Sequence, residues 1–275
     1  MLSFTVIKTC KASDTLKVLS WNVYLIPKIY INVHNAERAQ KIGHVLKNSQ
    51  KDIIVLQELF GKKMHRTIND SIKDIYPYSF GPGTCGFYKL NSGVVIYSKY
   101  PISETKIIKY KHAVSVDRMA KKSAVIGFVN FKNTKIQIIG THLQSKNGDK
   151  FSKIRFKQLN SILTDSALIK NKQYPKLLLG DLNIGLYRKN HKKLLHIFNV
   201  TDGPLSGELI YSSDPVNTLK KDNGKSMLDY ILLDRNNNNN IRVINRTITR
   251  YESIINGKDS DLSDHYAVSA DILIE

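Results

Sequence analysis

The feature that most restricts this chain is a series of apolar runs of strand length, rich in Val and Ile. They are "LKVLSWNV" (16–23), "DIIVLQ" (52–57), "SGVVIYS" (92–98), "AVIGFVNF" (124–131), "KIQIIGTHL" (135–143), "KLLLGDLN" (176–183), "MLDYILL" (227–233) and "HYAVSADILI" (265–274). Side chains branched at Cβ pack well on a pleated surface, so the chain reads mainly as a sheet protein. Between these runs, Ala39, Ile42 and Leu46 carry helical spacing in 35–48, and Phe151, Ile154, Leu159, Ile162 and Leu163 do so in 151–166. Two passages leave no room for a helix: 92–98 through Lys99-Tyr100-Pro101 into 102–110, and 124–131 through Asn133-Thr134 into 135–141. Both are expected to be antiparallel hairpins, which argues against a purely parallel sheet and for mixed sheets packed face to face under outer helices. The run Asn236 to Asn240 reads as a loop tip.

At 275 residues the chain fits one large domain, and no repeat or linker divides it. Cys10 and Cys85 are too few for a disulfide framework and lack metal-ligand spacing, so they read as unpaired thiols compatible with a reducing compartment. No run reaches the ~18 apolar residues that span a bilayer. The N-terminus lacks the basic start and apolar length of a leader. The expectation is a soluble monomer, cytoplasmic or peripherally bound to a membrane, with secretion left open. The formal charge of +19 would attract nucleic acid or an anionic membrane equally, and its lysines are scattered as on a solvated surface.

The strand ends carry the chemistry. Asn22 follows "VLSW", Glu58 follows "VLQ", His142 follows "IIGT", Asp181 and Asn183 follow "LLLG", Asp229 lies within "SMLDYILL", and Asp264-His265 opens the last strand. One polar residue at a strand end is routine, whereas six such ends form a chemical set. Carboxylates with an amide oxygen are hard ligands suited to Mg²⁺ or Mn²⁺, and histidines beside carboxylates suit proton transfer. Phosphodiester hydrolysis needs those parts: an activated water, neutralised non-bridging oxygens and a stabilised leaving alkoxide. Asp181 and Asn183, two apart on an extended strand, would point to the same side.

The ordered motifs "WNV", "LQE", "SGVVIYSKYPI", "GTHLQ", "GDLN", "LDYILL" and "SDHYAV" resemble the endonuclease/exonuclease/phosphatase superfamily, over about residues 16–273. The resemblance implies an α/β fold: a four-layer αββα sandwich of two mixed β-sheets with outer helices and the site at one sheet edge. It further implies Glu58 as the principal Mg²⁺ ligand with Asn22, Mn²⁺ or Co²⁺ being substitutes, and Asp264 near the metal or the base. His265 matches the general base, Asp229 the carboxylate that orients it, and His142 a phosphate ligand or general acid. Asp181 and Asn183 match the pair that positions the nucleophile or leaving group and binds phosphate.

Within that superfamily, "WNVYLIP", "GTHLQS" and "SDPVNTL" (213–219) are similar to neutral sphingomyelinases, placing Asp214 and Asn217 at the substrate. Leu179 before "GDLN" and Met227-Leu228-Asp229 depart from phosphoinositide phosphatases, and no Arg-x-Asp strand of the abasic-site endonucleases is present. The implied activity is Mg²⁺-dependent cleavage of sphingomyelin, a phospholipid substrate at a membrane surface, to ceramide and phosphocholine. A nuclease acting on nucleic acid, or a phosphodiesterase on another head group, is the alternative. Ser213 stands where the branch often has Trp, and the span 200–215 shows no counterpart of the long aromatic hairpin of the bacterial enzymes. Tyr24, Leu25, Ile26, Ile29 and Tyr30, or Phe87 and Tyr88, are either lipid contacts at the rim or partly buried loop anchors. Lys28, Lys62, Lys63 and Lys89 are either aids on an anionic surface or plain solvated charges.

Overall fold

The computed structural model describes residues 14–83, 90–165, 173–186, 188–235 and 241–275. Cys10, Cys85, Phe87, Tyr88, Lys89 and the run 236–240, read above as a loop tip, lie outside them. The elements are β1 (Asp14–Leu25), α1 (Asn35–Asn48), β2 (Ile53–Leu59), α2 (Lys62–Ile72), β3 (Tyr78–Phe80), β4 (Val95–Ser98), β5 (Ile102–Lys109), β6 (Ser123–Phe131), β7 (Thr134–His142), α3 (Asp149–Leu163) and β8 (Lys176–Asp181). They continue with α4 (Lys189–Phe198), β9 (Val200–Thr201), β10 (Leu205–Ser206), β11 (Asp229–Asp234), β12 (Ile241–Thr249), β13 (Glu252–Ile255), β14 (Lys258–Asp261) and β15 (Ala267–Ile274).

Two mixed sheets result, in the orders β10-β12-β15-β1-β2-β4-β3 and β5-β6-β7-β8-β11-β9, while β13 and β14 pair as a separate hairpin. Side chains alternate across a strand, and here both faces are covered, which is why the runs are apolar at successive positions. Leu16 and Val18 of β1 and Ile53 and Val55 of β2 pack toward the second sheet. Leu19, Trp21 and Val23 with Ile54 and Leu56 pack under Ile42, Leu46, Ile68 and Ile72 of α1 and α2. Leu159 and Ile162 of α3 and Leu194 of α4 cover the far side, completing the expected αββα layering. At 140 a side chain would strike Val55 at 2.7 Å, so glycine lets the sheets close there.

The 124–141 hairpin forms as expected, β6 pairing β7 antiparallel through Lys132 and Asn133, both at positive φ (43° and 65°) as a type I′ turn requires. The passage from 92–98 into 102–110 is not a hairpin. β4 pairs with β2 and β3, whereas β5 pairs with β6 in the other sheet. Pro101 has no N–H to give a ladder, and Ser98 Oγ takes the Tyr100 N–H (2.9 Å), so the chain leaves one sheet and crosses to the next. Sequence pattern also missed β12, α2 and α4.

Gly180 fixes how β8 meets β7 in the second sheet. Its φ is +147°, and a β-carbon there would lie 1.8 Å from the Thr141 carbonyl oxygen of β7. Only glycine permits this approach, which sets His142 opposite Asp181 in the parallel register. Gly180→Ala should therefore cost more than about 3 kcal/mol. A denaturant midpoint within about 1 kcal/mol of the parent would show that the strands separate freely here.

Candidate active site

The topology explains why six strand ends meet. β1 and β2 run parallel, as do β7 and β8, so Asn22, Glu58, His142 and Asp181 leave the sheets at one edge. β15 lies antiparallel to β1 and β11 antiparallel to β8, so the start of each brings Asp264-His265 and Asp229 to that same edge. Hydrogen bonds then fasten the edge. Trp21 Nε1 donates to the His265 carbonyl (2.9 Å), the His265 N–H to Ser263 Oγ (3.2 Å), and Ser212 Oγ accepts from the N–H groups of Leu228 and Asp229 (3.0 and 3.2 Å).

His265 Nδ1 lies 2.7 Å from Asp229 Oδ2, the shortest contact of the cluster. Asp229 is fully buried, so this pairing fixes the imidazole tautomer and leaves Nε2 facing the cleft. Burial alone would lower the His265 pKa, but Asp229, Asp181 and Asp264 outweigh it and hold the imidazole well above its ordinary range. Asp181 Oδ2 is the hub: Asn22 Nδ2 at 3.2 Å, His142 Nε2 at 3.4 Å and His265 Nε2 at 3.9 Å surround it. His142 differs from His265, because burial and the nearby Lys122 ammonium push it down to about 3. At pH 7 it is a neutral imidazole, which can donate a hydrogen bond but carries no charge of its own.

Asp181 and Asn183 do not lie on one extended strand. β8 ends at Asp181, Asn183 turns to φ 52°, and its N–H donates to Asp181 Oδ1 (2.9 Å) in an Asx turn. Both still face the cleft, by a turn rather than by strand alternation. Asn22 shows the same device, its Oδ1 accepting the Tyr24 N–H at 3.1 Å. Tyr24 and Glu58 also have positive φ, 50° and 59°. Non-glycine residues held in this region at a cleft are locally strained and over-determined by their surroundings. For Glu58 the support is visible: Leu59 N–H donates to the Gly93 carbonyl (2.9 Å), and Asn91 holds both the Gly93 N–H and the Phe60 carbonyl (2.9 and 3.1 Å).

The cluster fits a divalent cation. Burial first, and Asp264 second, raise Glu58 to about 8, and burial likewise raises Asp264. Two carboxylates pushed toward protonation by burial and by neighbouring carboxylates need a cation to stay ionised. Glu58 Oε2 and Asp264 Oδ1 are both buried without a hydrogen-bond partner, which a ligated metal would supply. Asp181, Asp229 and His265 are also close enough to share an ion. The 2.7 Å His265–Asp229 bond, however, already commits two of their atoms, so the Glu58–Asp264 side is the better cradle.

Asp214 and Asn217 are spent on their own loop. Asp214 Oδ1 accepts the Val216 N–H (3.1 Å), and the Asn217 amide donates to the Ser263 carbonyl (2.7 Å) while accepting the Leu219 N–H (2.9 Å). They shape the 212–226 segment beside His265 rather than lining the cleft, whose walls are Tyr24, Asn183, Lys220, Asp222, Asp264 and His265. Two supporting residues escaped the sequence reading. Arg38, fully buried, donates to the carbonyls of Val23, Tyr24 and Leu262 and so anchors the backbone on either side of the metal cradle. Lys122 is buried against Asp117 (2.9 Å) and the Leu143 carbonyl (2.7 Å), behind His142. Neither carries a motif; a lone Arg on a helix and a Lys before a strand look like surface residues. At the rim Ile29 is 86% and Tyr30 48% exposed, while Tyr24 and Leu25 are buried anchors. A hairpin stands next to the site, but it is β13–β14, with Ile254 exposed, not a structure within 200–215.

Comparison with known proteins accords with this geometry. The chain is 28% identical over 298 residues to a phospholipase C of Staphylococcus aureus, covering 94% of this chain and 88% of that one. It is 25% identical over 269 residues to a sphingomyelinase C of Bacillus cereus, covering 86% and 80%. Crystal structures of Staphylococcus aureus beta toxin superpose with TM-scores of 0.83 at 26% identity and 0.81 at 24%, covering 93% and 94% of this chain and 99% of theirs; the second is a mutant with bound magnesium ions. The model of the endonuclease/exonuclease/phosphatase family matches residues 19–265, so the chain belongs to that family and is a phosphodiester hydrolase.

Proposed function

We propose that this hydrolase is a Mg²⁺-dependent phospholipase C that cleaves sphingomyelin to ceramide and phosphocholine. The observation that carries the reading is the His265–Asp229 pair facing Asp181 across from the buried Glu58–Asp264 carboxylates, in a chain similar over most of its length to a phospholipase C and a sphingomyelinase C. Mg²⁺ suits a cradle made only of oxygen ligands, and magnesium is bound in a beta toxin structure.

In this reading His265 Nε2 takes the proton of a water lying between it and Asp181, and Asp229 stabilises the imidazolium. Asp181, braced by Asn22, orients that water. His142, neutral, and Asn183 donate to the non-bridging phosphate oxygens. Glu58, Asp264 and Asn22 hold the cation, which when bound neutralises charge on the phosphate and the departing alkoxide. Asp222 on the cleft wall offers a carboxylate to a quaternary ammonium. Exposed Ile29 and Tyr30 suit contact with a lipid surface.

A second reading, cleavage of nucleic acid, is favoured by Lys146, Lys220 and Lys221 on the same wall. One panel separates them: vesicles of sphingomyelin, phosphatidylcholine or phosphoinositide, and plasmid DNA, each with Mg²⁺ and with EDTA. Release of phosphocholine from sphingomyelin, dependent on Mg²⁺, is expected. Intact sphingomyelin beside nicked plasmid would overturn the lipid reading.

A further inference from the structure

Beside the catalytic cleft lies a second chamber of about 290 Å³, which shares with it only the wall of Asn147, Asn183, Ser226 and Leu228. Two helices begin there. α3 brings Gly148 and Ser152, and α4 brings Arg188 and Asn190. No side chain caps either helix start, although these helices are 15 and 10 residues long. The first N–H groups of each helix therefore have no intrahelical acceptor, and each start carries the positive end of a helix dipole. Asn190 Nδ2 donates to Ser152 Oγ (2.9 Å), tying the two starts side by side.

Two guanidinium groups complete the chamber. Arg155, only 4% exposed, uses Nη1 on the carbonyls of Gln144 and Lys146 (2.9 and 2.8 Å), and its Nε is buried with no partner. The guanidinium charge at this lining is held by backbone carbonyls, with no carboxylate among the described residues bonded to it, and an incoming anion would compensate it. Arg188 is exposed and lies across Gly185, where a β-carbon would be 3.2 Å from its Cδ and Nε. Among the described residues, Asp149 is the only acidic side chain on the lining. Beyond Ser152 and Asn190 a further groove carries Lys111, Lys153, Lys157 and Lys193, which adds positive potential at the mouth.

The geometry points to a second anion site, distinct from the catalytic cradle: a phosphate held between the starts of α3 and α4 by Arg155 and Arg188. The ligand is a tetrahedral oxyanion, either free inorganic phosphate or a phosphomonoester such as the product of the reaction. Neither the helix starts nor the guanidinium groups need a metal, so this site binds when the cradle is stripped. It is also independent of which head group the enzyme cleaves.

The test is calorimetric titration of the full chain in EDTA with inorganic phosphate and, separately, phenyl phosphate. One saturable site is expected, weakened at least fivefold in Arg188→Gln and unchanged in His265→Ala. Arg155→Lys keeps the charge but loses the planar fork, so it should weaken binding too; if that variant does not fold, Arg188→Gln carries the test. Binding of inorganic phosphate alone marks the free ion as ligand, and binding of phenyl phosphate as well marks an ester. No saturable site in EDTA, affinity within twofold of the parent in Arg188→Gln, or loss of binding in His265→Ala would each overturn the proposal.

Discussion

Glu58→Gln should lower turnover by about 10³-fold or more, because a Lewis-acid metal contributes several kcal/mol of transition-state stabilisation and each 1.4 kcal/mol is worth about tenfold. The substitution is nearly isosteric, so folding is a clean control. In the metal-free protein Glu58 is raised from its ordinary 4.5 to about 8 by burial and by Asp264. The stability that its protonated form provides is present at low pH and is lost as pH rises from about 4.5 through about 8. Metal-free parent protein should therefore lose thermal stability across that window, and Mg²⁺ should restore it, with an affinity that rises with pH as the competing proton leaves. Glu58→Gln should show a smaller loss, the part carried by Asp264 and His265 remaining, and no Mg²⁺ effect. A variant that keeps its Mg²⁺-dependent rise in Tm would take Glu58 out of the metal site.

His265→Ala should cost about 10²- to 10⁴-fold in kcat, the scale of a positioned general base, with lipid binding unaltered. Its partner gives the sharper test. Asp229→Asn leaves the imidazole in place but removes the carboxylate that fixes its tautomer, and a loss of about 10³- to 10⁴-fold is expected. Asp229 also holds the His265 pKa up. Parent activity should climb with pH as His265 gives up its proton, and in Asp229→Asn the remaining activity should begin to climb at lower pH. An ascending limb that stays where it was would mean that another group limits the rate.

Much of this site was legible in the sequence because the residues that do chemistry interrupt runs that are otherwise continuously apolar. Asn22, Glu58, His142, Asp181 and His265 stand out against Val, Ile and Leu, and the buried strands around them have no other reason to carry such groups. The fold's class followed from the same runs, since strands covered on both faces cannot be surface hairpins. What the pattern concealed was connection and local turn. "SGVVIYSKYPI" looks like one arm of a hairpin, and only the pairing of Val95–Ser98 with β2 and β3 reveals a change of sheet. The left-handed turn at Asn183 has no signature beyond the Asp-x-Asn itself. α2 and α4 were hidden by composition, being thick with Lys, His and Asn and burying only Ile68 and Ile72, or His191 and Leu194. Asp214 and Asn217 show another limit: their side chains bond to the backbone of their own loop and of Ser263, a use that the motif does not reveal.

The place of β15 carries a consequence for how the enzyme comes into being. This last strand lies inside its sheet, between β1 and β12, and delivers Asp264 and His265 both to Asn22 and Glu58, from the start of the chain, and to Asp181 and Asp229, from its second half. A ribosome thus extrudes Glu58 and the hub Asp181 before His265, the proposed base. Until β15 pairs, β1 and β12 lack the strand that joins them, and Asp264 and His265 cannot reach the cluster, so the proposed chemistry waits on the insertion of one strand.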